Sequence, residues 1–253
     1  MTVSVATLGC DRKASEGFPS WRTLFQLQGD YSLYFNYEAG SFEGIEVARY
    51  AVEKALGDNS PMACSKWSLD TWGWRTSYGA DWRSLPKFDQ DQARLASIVT
   101  ARNMCIEYAM QTGADQLLFV DSDIIPPLDI IPKMLEVMDA GEEAVCGLVN
   151  GRGVHKTCQY VFGSKGFETI ANVQCQRVEH ANIGFTMLSK RLFNQIRFRY
   201  GFTEYPDGRK HTVSDDPAYH LDAFIKFGKW PVIRMDVVGA HIGDLQSNET
   251  SQY

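Results

Sequence analysis

The stretch Gln116-Leu117-Leu118-Phe119-Val120-Asp121-Ser122-Asp123-Ile124-Ile125 governs the reading of the whole chain. The run Gln116–Val120 is short, almost wholly apolar and bounded by polar residues, the pattern of a strand buried on both faces. Two carboxylates, Asp121 and Asp123, follow one residue apart. In open α/β sheets ligands bind beyond the carboxyl ends of the strands. Residues two apart on an extended segment point the same way, so both acids are expected to face one pocket. Paired acids repel unless a cation lies beside them, and a hard divalent ion, Mg²⁺ or Mn²⁺, is the natural partner. Such an ion would in turn bind a diphosphate. Asp-Ser-Asp also suits an Asx turn or a helix cap, so the strand before it gives the motif its weight.

Upstream, Ala93, Ala96, Val99, Met104, Ile106 and Met110 recur at helical spacing, and Gly113 closes that helix. Further back, Thr2–Gly9 reads as a strand entering a loop and Pro19–Leu27 as a helix. Ser41 is placed to cap a helix over Phe42–Leu56. Downstream, Asp129 is placed to cap a helix to Asp139, with Pro132 in its first turn. Ala144–Val149 is the next strand. Thr157–Phe162 and Phe167–Val173 read as strands around a hairpin at Gly163-Ser164-Lys165-Gly166. Gly184–Leu188 is a strand and Lys190–Ile196 a short helix. Asp215–Lys226 is a helix stopped by Gly228, and Pro231–Val238 a last strand. Strands and helices alternate first and hairpins come later. This gives an α/β fold: a mainly parallel sheet, flanking helices and a small antiparallel part at one side. One catalytic domain is expected over 1–253. Its region of about 31–91, crowded with Trp67, Trp72, Trp74, Tyr78 and Trp82, reads as an insertion.

Composition narrows the classes. Of 253 residues, 44% are hydrophobic and 22% charged, so wholesale disorder is excluded. The net charge of −6 argues against gripping a nucleic acid backbone through a general basic surface. No run of about 18 apolar residues occurs and the first ten lack a basic leader, which implies a cytoplasmic protein without a membrane span. The six cysteines form no CxxC pair and read as buried free thiols of a reducing compartment. Asn248-Glu249-Thr250 matches a glycosylation sequon that carries no meaning in such a compartment.

Three further features bear on chemistry. Arg102, one helix before the Asp-Ser-Asp strand, can pair with a phosphate or an aspartate, or be an ordinary solvated charge. Ser214-Asp215-Asp216 opens a helix; acids there are ordinary caps, yet one can serve as a base toward a hydroxyl nucleophile. His241, just past the last strand among small residues, can complete a metal site. His155, His180, His211 and His220 read as surface-loop histidines.

Taken in order, Val3–Gly9, Ala101-Arg102-Asn103, Leu118–Ile124, Asn182-Ile183-Gly184-Phe185, Ser214-Asp215-Asp216-Pro217 and His241-Ile242-Gly243 resemble the GT-A-fold nucleotide-sugar glycosyltransferases. The closest likeness is to the compact branch found in bacteria, phages and large algal viruses. It covers Met1 to about Gly29 and about Ala93 to Gly243. The resemblance implies that Thr7, in the loop after the first strand, lines the nucleotide pocket, that Arg102 sits near the diphosphate, that Asp121 contacts the ribose or the metal, and that Ser122 is among the residues that bind the donor. It implies Asp121, Asp123 and His241 as ligands of Mn²⁺ or Mg²⁺, and Asn182 and Gly184 beside donor sugar and acceptor. Asp215 and Asp216 stand where the family has an acidic pair, often Glu-Asp, whose second acid is the base of inverting members. That makes Asp216 the base and Asp215 its neighbour; the Asp for Glu and the following Pro217 depart from the pattern. The donor would be a UDP- or GDP-sugar. The acceptor would be a hydroxyl of a glycan or other molecule, with modified nucleic acid disfavoured by the charge. Localisation would be cytoplasmic, in the host if the source is viral. Trp72 and Trp74 can form an acceptor platform by stacking on sugar faces, or help anchor a satellite core.

Two other classes fit parts of the pattern. A haloacid-dehalogenase-type phosphotransferase also places Asp-x-Asp after a buried strand, but near the chain start and without Ile125 in that position. A non-catalytic Ca²⁺-dependent carbohydrate-binding protein would use the acids for calcium and the aromatics for sugar.

Overall fold

Alternation along the strands builds two cores on opposite faces of one sheet. In β1 (Val3–Cys10), Val3 and Val5 enter one core and Ala6 the other. The computed structural model describes residues 1–10, 20–38, 42–57, 64–72, 87–149, 162–204 and 210–242. A short helical stretch at 20–24 leads to β2 (Tyr31–Glu38), α1 (Phe42–Gly57) and β3 (Cys64–Trp72). The long α2 (Lys87–Gln111) precedes β4 (Gln116–Val120) and the two-residue β5 (Ile124–Ile125). Then come α3 (Ile130–Asp139), β6 (Ala144–Val149), β7 (Phe162–Ile170), β8 (Val173–His180) and β9 (Phe185–Ser189). The chain continues through α4 (Lys190–Gln195), β10 (Gly201–Glu204), β11 (Lys210–Val213), α5 (Asp215–Phe227) and β12 (Val232–His241).

The main sheet runs β3-β2-β1-β4-β9-β6-β12-β8-β7, with β5 paired to β12. Pairs β3/β2, β2/β1, β1/β4 and β6/β12 are parallel. Every residue of β4 is buried. Leu118 and Val120 pack on one side with Trp21, Phe35, α1 and α3; Leu117 and Phe119 pack on the other with α2, α4 and α5. From β1 the chain steps outward to β2 and β3, then returns through α2 to place β4 on the other side of β1. That reversal makes the carboxyl ends of β1 and β4 a topological switch point, the usual ligand position in such sheets.

The mixed α/β sheet with flanking helices agrees with the sequence reading, but three details differ. An antiparallel strand lies in the middle: β9 runs against both β4 and β6. The expected insertion over 31–91 supplies two parallel strands and a crossover helix to the sheet through residue 72. Its strand β2 is dense in aromatics, which suit a pleated buried surface as well as aliphatics do. Trp74, Tyr78 and Trp82 lie outside the described residues, as do Ser41 and most of Thr157–Phe162. The β7–β8 hairpin turns at Ala171-Asn172, both at positive φ (51° and 63°), and not at Gly163–Gly166. A two-residue turn that matches the strand twist needs positive φ at both positions. Gly163 and Gly166 instead flank a register shift inside β7.

Asp129 precedes α3 as expected but makes no side-chain cap; its carboxylate pairs with Lys133 Nζ at 3.0 Å. Cys105, Cys146 and Cys175 are buried free thiols. No described helix is long and apolar enough to cross a membrane.

Candidate active site

At the end of β4 the chain turns at once. The N–H of Ile124 donates to Asp121 O at 2.9 Å, closing Asp121-Ser122-Asp123-Ile124 as a β-turn. The backbone is not extended here, so the same-side argument for Asp121 and Asp123 does not apply. Their carboxylates meet different partners: Asp121 Oδ2 lies 4.0 Å from Arg102 Nη2, and Asp123 Oδ2 lies 3.4 Å from His241 Nε2. β5 sets up the second contact. It pairs antiparallel with the end of β12, matching Ile124 to His241, and Ile242 N–H donates to Asp123 O at 2.9 Å.

Arg102 lies on α2 at the spacing of Cys105, Ile106 and Ala109, all on the buried stripe of that helix. It is therefore 4% exposed, not a solvated charge. Its guanidinium sits 5.6 Å from the Phe119 ring centroid and 5.5 Å from that of Phe198. Asn103 clasps Phe198 in place, donating to Phe198 O at 3.0 Å and accepting from Phe198 N at 2.9 Å. Arg102 Nε lies 2.7 Å from Asp215 Oδ2 without an aligned hydrogen bond, so the contact is an ion pair. Arg102 Nη2 lies 3.5 Å from Asp216 Oδ1. Burial opposes the arginine charge, but Asp215, Asp216 and Asp121 outweigh it and hold the pKa above its ordinary value.

Asp215 and Asp216 open α5, where acids are favoured by the free N–H groups of the first turn. The Asp215 side chain is 7% exposed and committed to Arg102; that of Asp216 is 23% exposed. Burial, then the adjacent Asp215 charge, push the Asp216 carboxyl above the usual carboxylate range, with Arg102 acting against them.

The β8–β9 loop joins the two acidic groups. Asp121 N–H donates to Gly184 O at 2.7 Å, and a backbone N–H from Ile183 reaches Asp216. Asn182 Oδ1 accepts from Gly184 N at 2.7 Å. Gly184 packs directly on Asp121, where a Cβ would come within 2.0 Å of Oδ2. His220, one turn beyond Asp216 on α5, is fully buried, and its Nε2 lies 3.2 Å from Ala181 O. The surface-loop reading of His220 is thereby corrected: it lies four residues after Asp216, on the inward side of the helix. Thr7 also differs from expectation. It lies inside β1 opposite Phe35, 1% exposed, rather than in the following loop, and its Oγ1 has no hydrogen-bond partner among the described residues. Ser122 is buried in the turn. Trp72 ends β3 opposite Glu38, and Trp74 lies outside the described residues.

Among the described residues no three His, Cys, Asp or Glu side chains converge as a ready-made metal centre. The Asp123–His241 pair nevertheless fits one ion. Two ligands about 2.1 Å from a cation in adjacent positions lie roughly 3 Å apart, close to the observed separation. One carboxylate and one imidazole suit Mn²⁺ better than Mg²⁺, which prefers an all-oxygen shell. Phe198 has no place in the sequence reading, Asn103 enters it only as the neighbour of Arg102, and His220 enters it only as a surface histidine.

No family model and no curated protein matches the sequence. Solved structures do match. The 1–349 fragment of S. aureus TarS, in complex with UDP-GlcNAc, aligns over 96% of this chain and 60% of its own, at 13% identity and a TM-score of 0.54. The mannosyltransferase PcManGT from Pyrobaculum calidifontis, in complex with GDP-Man and Mn²⁺, aligns over 95% of this chain and 56% of its own, at 10% identity and a TM-score of 0.53. The chain thus spans less than two thirds of either protein. At these identities the likeness concerns architecture: the chain has the GT-A fold of nucleotide-sugar glycosyltransferases.

Proposed function

We propose that this chain is a metal-dependent glycosyltransferase that moves a sugar from a UDP- or GDP-sugar to an acceptor hydroxyl with inversion. The observation that carries this reading is the contact of Asp123 with His241 beyond the end of β4, beside an acid pair held by a buried arginine. A divalent ion held by Asp123 and His241 would supply Lewis-acid neutralisation of the departing diphosphate. Asp216 is the more accessible acid, and its raised pKa makes its ionised form a stronger base. It takes the proton of the acceptor hydroxyl. The acceptor oxygen forms its bond to the anomeric carbon as the bond from that carbon to the diphosphate oxygen breaks, and the electron pair leaves with the nucleoside diphosphate. Asp215, less exposed, is held against Arg102. Arg102 is a positioning residue: 4% exposed and enclosed by carboxylates, it orients the acids and does not reach for phosphate. The acceptor is a glycan or another hydroxyl-bearing molecule, and the net charge of −6 disfavours nucleic acid. The glycosyltransferase fold favours this reading over the phosphotransferase.

The test is release of UDP or GDP from a panel of nucleotide sugars, with and without Mn²⁺. Asp216→Asn should lower the rate by roughly 10²–10⁴-fold, the usual range for loss of a general base. Turnover by the wild type that ignores both Mn²⁺ and Asp216→Asn would refute the proposal.

A further inference from the structure

Two groups of acids must keep a fixed separation if one holds an ion and the other takes a proton. The element between them is the loop Ala181–Gly184. Its far end is tied to the Asp-Ser-Asp turn, through the Asp121 N–H bond to Gly184 O and the close packing of Gly184 on the Asp121 carboxylate. Its middle reaches Asp216 through the N–H of Ile183. Within the loop Asn182 closes on Gly184, and Thr186 Oγ1 donates to Asn182 O at 2.7 Å. Among the described residues the near end, Ala181, has one side-chain tie: the ring of His220.

We infer that His220 is a positioning residue, which holds the Ala181–Gly184 loop as a strut between Asp121 and Asp216. A carbonyl oxygen only accepts, so Nε2 carries the hydrogen and donates to Ala181 O. Burial lowers the ring pKa to about 3, so the ring stays neutral and keeps a lone pair on Nδ1. Nδ1 has no hydrogen-bond partner among the described residues, and Ala181 is the ring's only such tie there. Because His220 and Asp216 are one turn apart on α5, the same helix that carries the base fixes the loop donating to it. His220 is buried behind the loop, so it acts through the strut and not on substrate. The catalytic part of this inference rests on the glycosyltransferase reading; the strut itself does not.

The test uses the full chain with two readouts. Hydrogen exchange of peptides covering 181–189 should accelerate roughly fivefold in His220→Leu, the effect of losing one net hydrogen bond. Exchange in β4 should stay unchanged. In the same variant, kcat for Mn²⁺-dependent hydrolysis of UDP-GlcNAc or GDP-mannose should fall roughly tenfold or more, as misplaced catalytic groups do, with donor KM within about twofold. His220→Gln, which keeps an N–H donor, should restore both. Thr186→Val removes a second side-chain tie to the loop in nearly the same volume; it should show the same pattern, and it decides the matter if His220→Leu does not fold. Unchanged loop exchange in His220→Leu and Thr186→Val overturns the strut, and an unchanged kcat with accelerated exchange overturns its catalytic role. A wild type that hydrolyses neither donor refutes the glycosyltransferase reading and the catalytic role with it, while exchange still decides the strut.

Discussion

Arg102 Nε lies 2.7 Å from Asp215 Oδ2, with both side chains under a tenth exposed. The pair joins α2 to the start of α5 beside Phe119 and Phe198. Burying an ion pair brings little net stability, because desolvation offsets attraction. Removing one partner is another matter, since the remaining charges stay buried without compensation.

Arg102→Leu leaves three neighbouring carboxylates without their cation. It should cost about 3–5 kcal/mol, the usual penalty for breaking a buried pair. Urea denaturation measures this. A companion Asp215→Leu change in the same chain should recover part of the loss, and an unchanged midpoint for Arg102→Leu alone would show that the pair is energetically idle.

Asp123 and His241 meet at 3.4 Å at the open end of β4 and β12. Mn²⁺ with UDP or GDP, at about a hundred times its dissociation constant, should stabilise the fold by about 2.7 kcal/mol. For a chain of this size that is roughly 5–10 °C in Tm. Asp123→Asn and His241→Ala should abolish the ion-dependent rise and leave the ligand-free Tm within a few degrees. Equal rises in wild type and both variants would place the ion elsewhere.

Gly184 and Gly147 separate geometry from stability. An added Cβ at Gly184 would meet the Asp121 carboxylate at 2.0 Å, whereas one at Gly147 would meet the Phe185 ring at 2.2 Å. The carboxylate can swing aside and the buried ring cannot. Gly184→Ala should therefore reduce turnover by roughly tenfold or more through the displaced acid. Gly147→Ala should instead cost about 1–3 kcal/mol through overpacking. Calorimetry beside the transfer assay checks the contrast, and the reverse pattern would refute it.

His220 makes stability depend on pH in a stated direction. Its folded pKa, about 3, lies below the ordinary 6.5, so between these values the unfolded chain binds the extra proton. Stability is full above 6.5 and falls as pH drops toward 3, by about 2 kcal/mol at pH 5 relative to pH 7. Asp216 works the other way: its raised carboxyl gains stability as pH falls toward the ordinary carboxylate value. The difference between wild type and His220→Gln isolates the histidine. Parallel curves for the two proteins from pH 7 to pH 5 would show that the ring does not titrate on unfolding.

Local pattern in the sequence was enough for strand β4, helix α5 with its stop at Gly228, and strand β6, because each is a short run whose neighbours along the chain dictate its period. It also picked out Asp121, Asp123, Asp215, Asp216, Arg102 and His241, whose chemistry shows in residue type and in position beside a strand or helix end. Tertiary structure alone decided how they are shared out. The β-turn at Asp121–Ile124 sends one acid to Arg102, and the pairing of β5 with β12 gives the other to His241. Strand order, the middle position of β9, the helical stripe that buries Arg102 and the inward face of His220 follow from which surfaces pack together. Those contacts join residues far apart in the chain, and no local period encodes them.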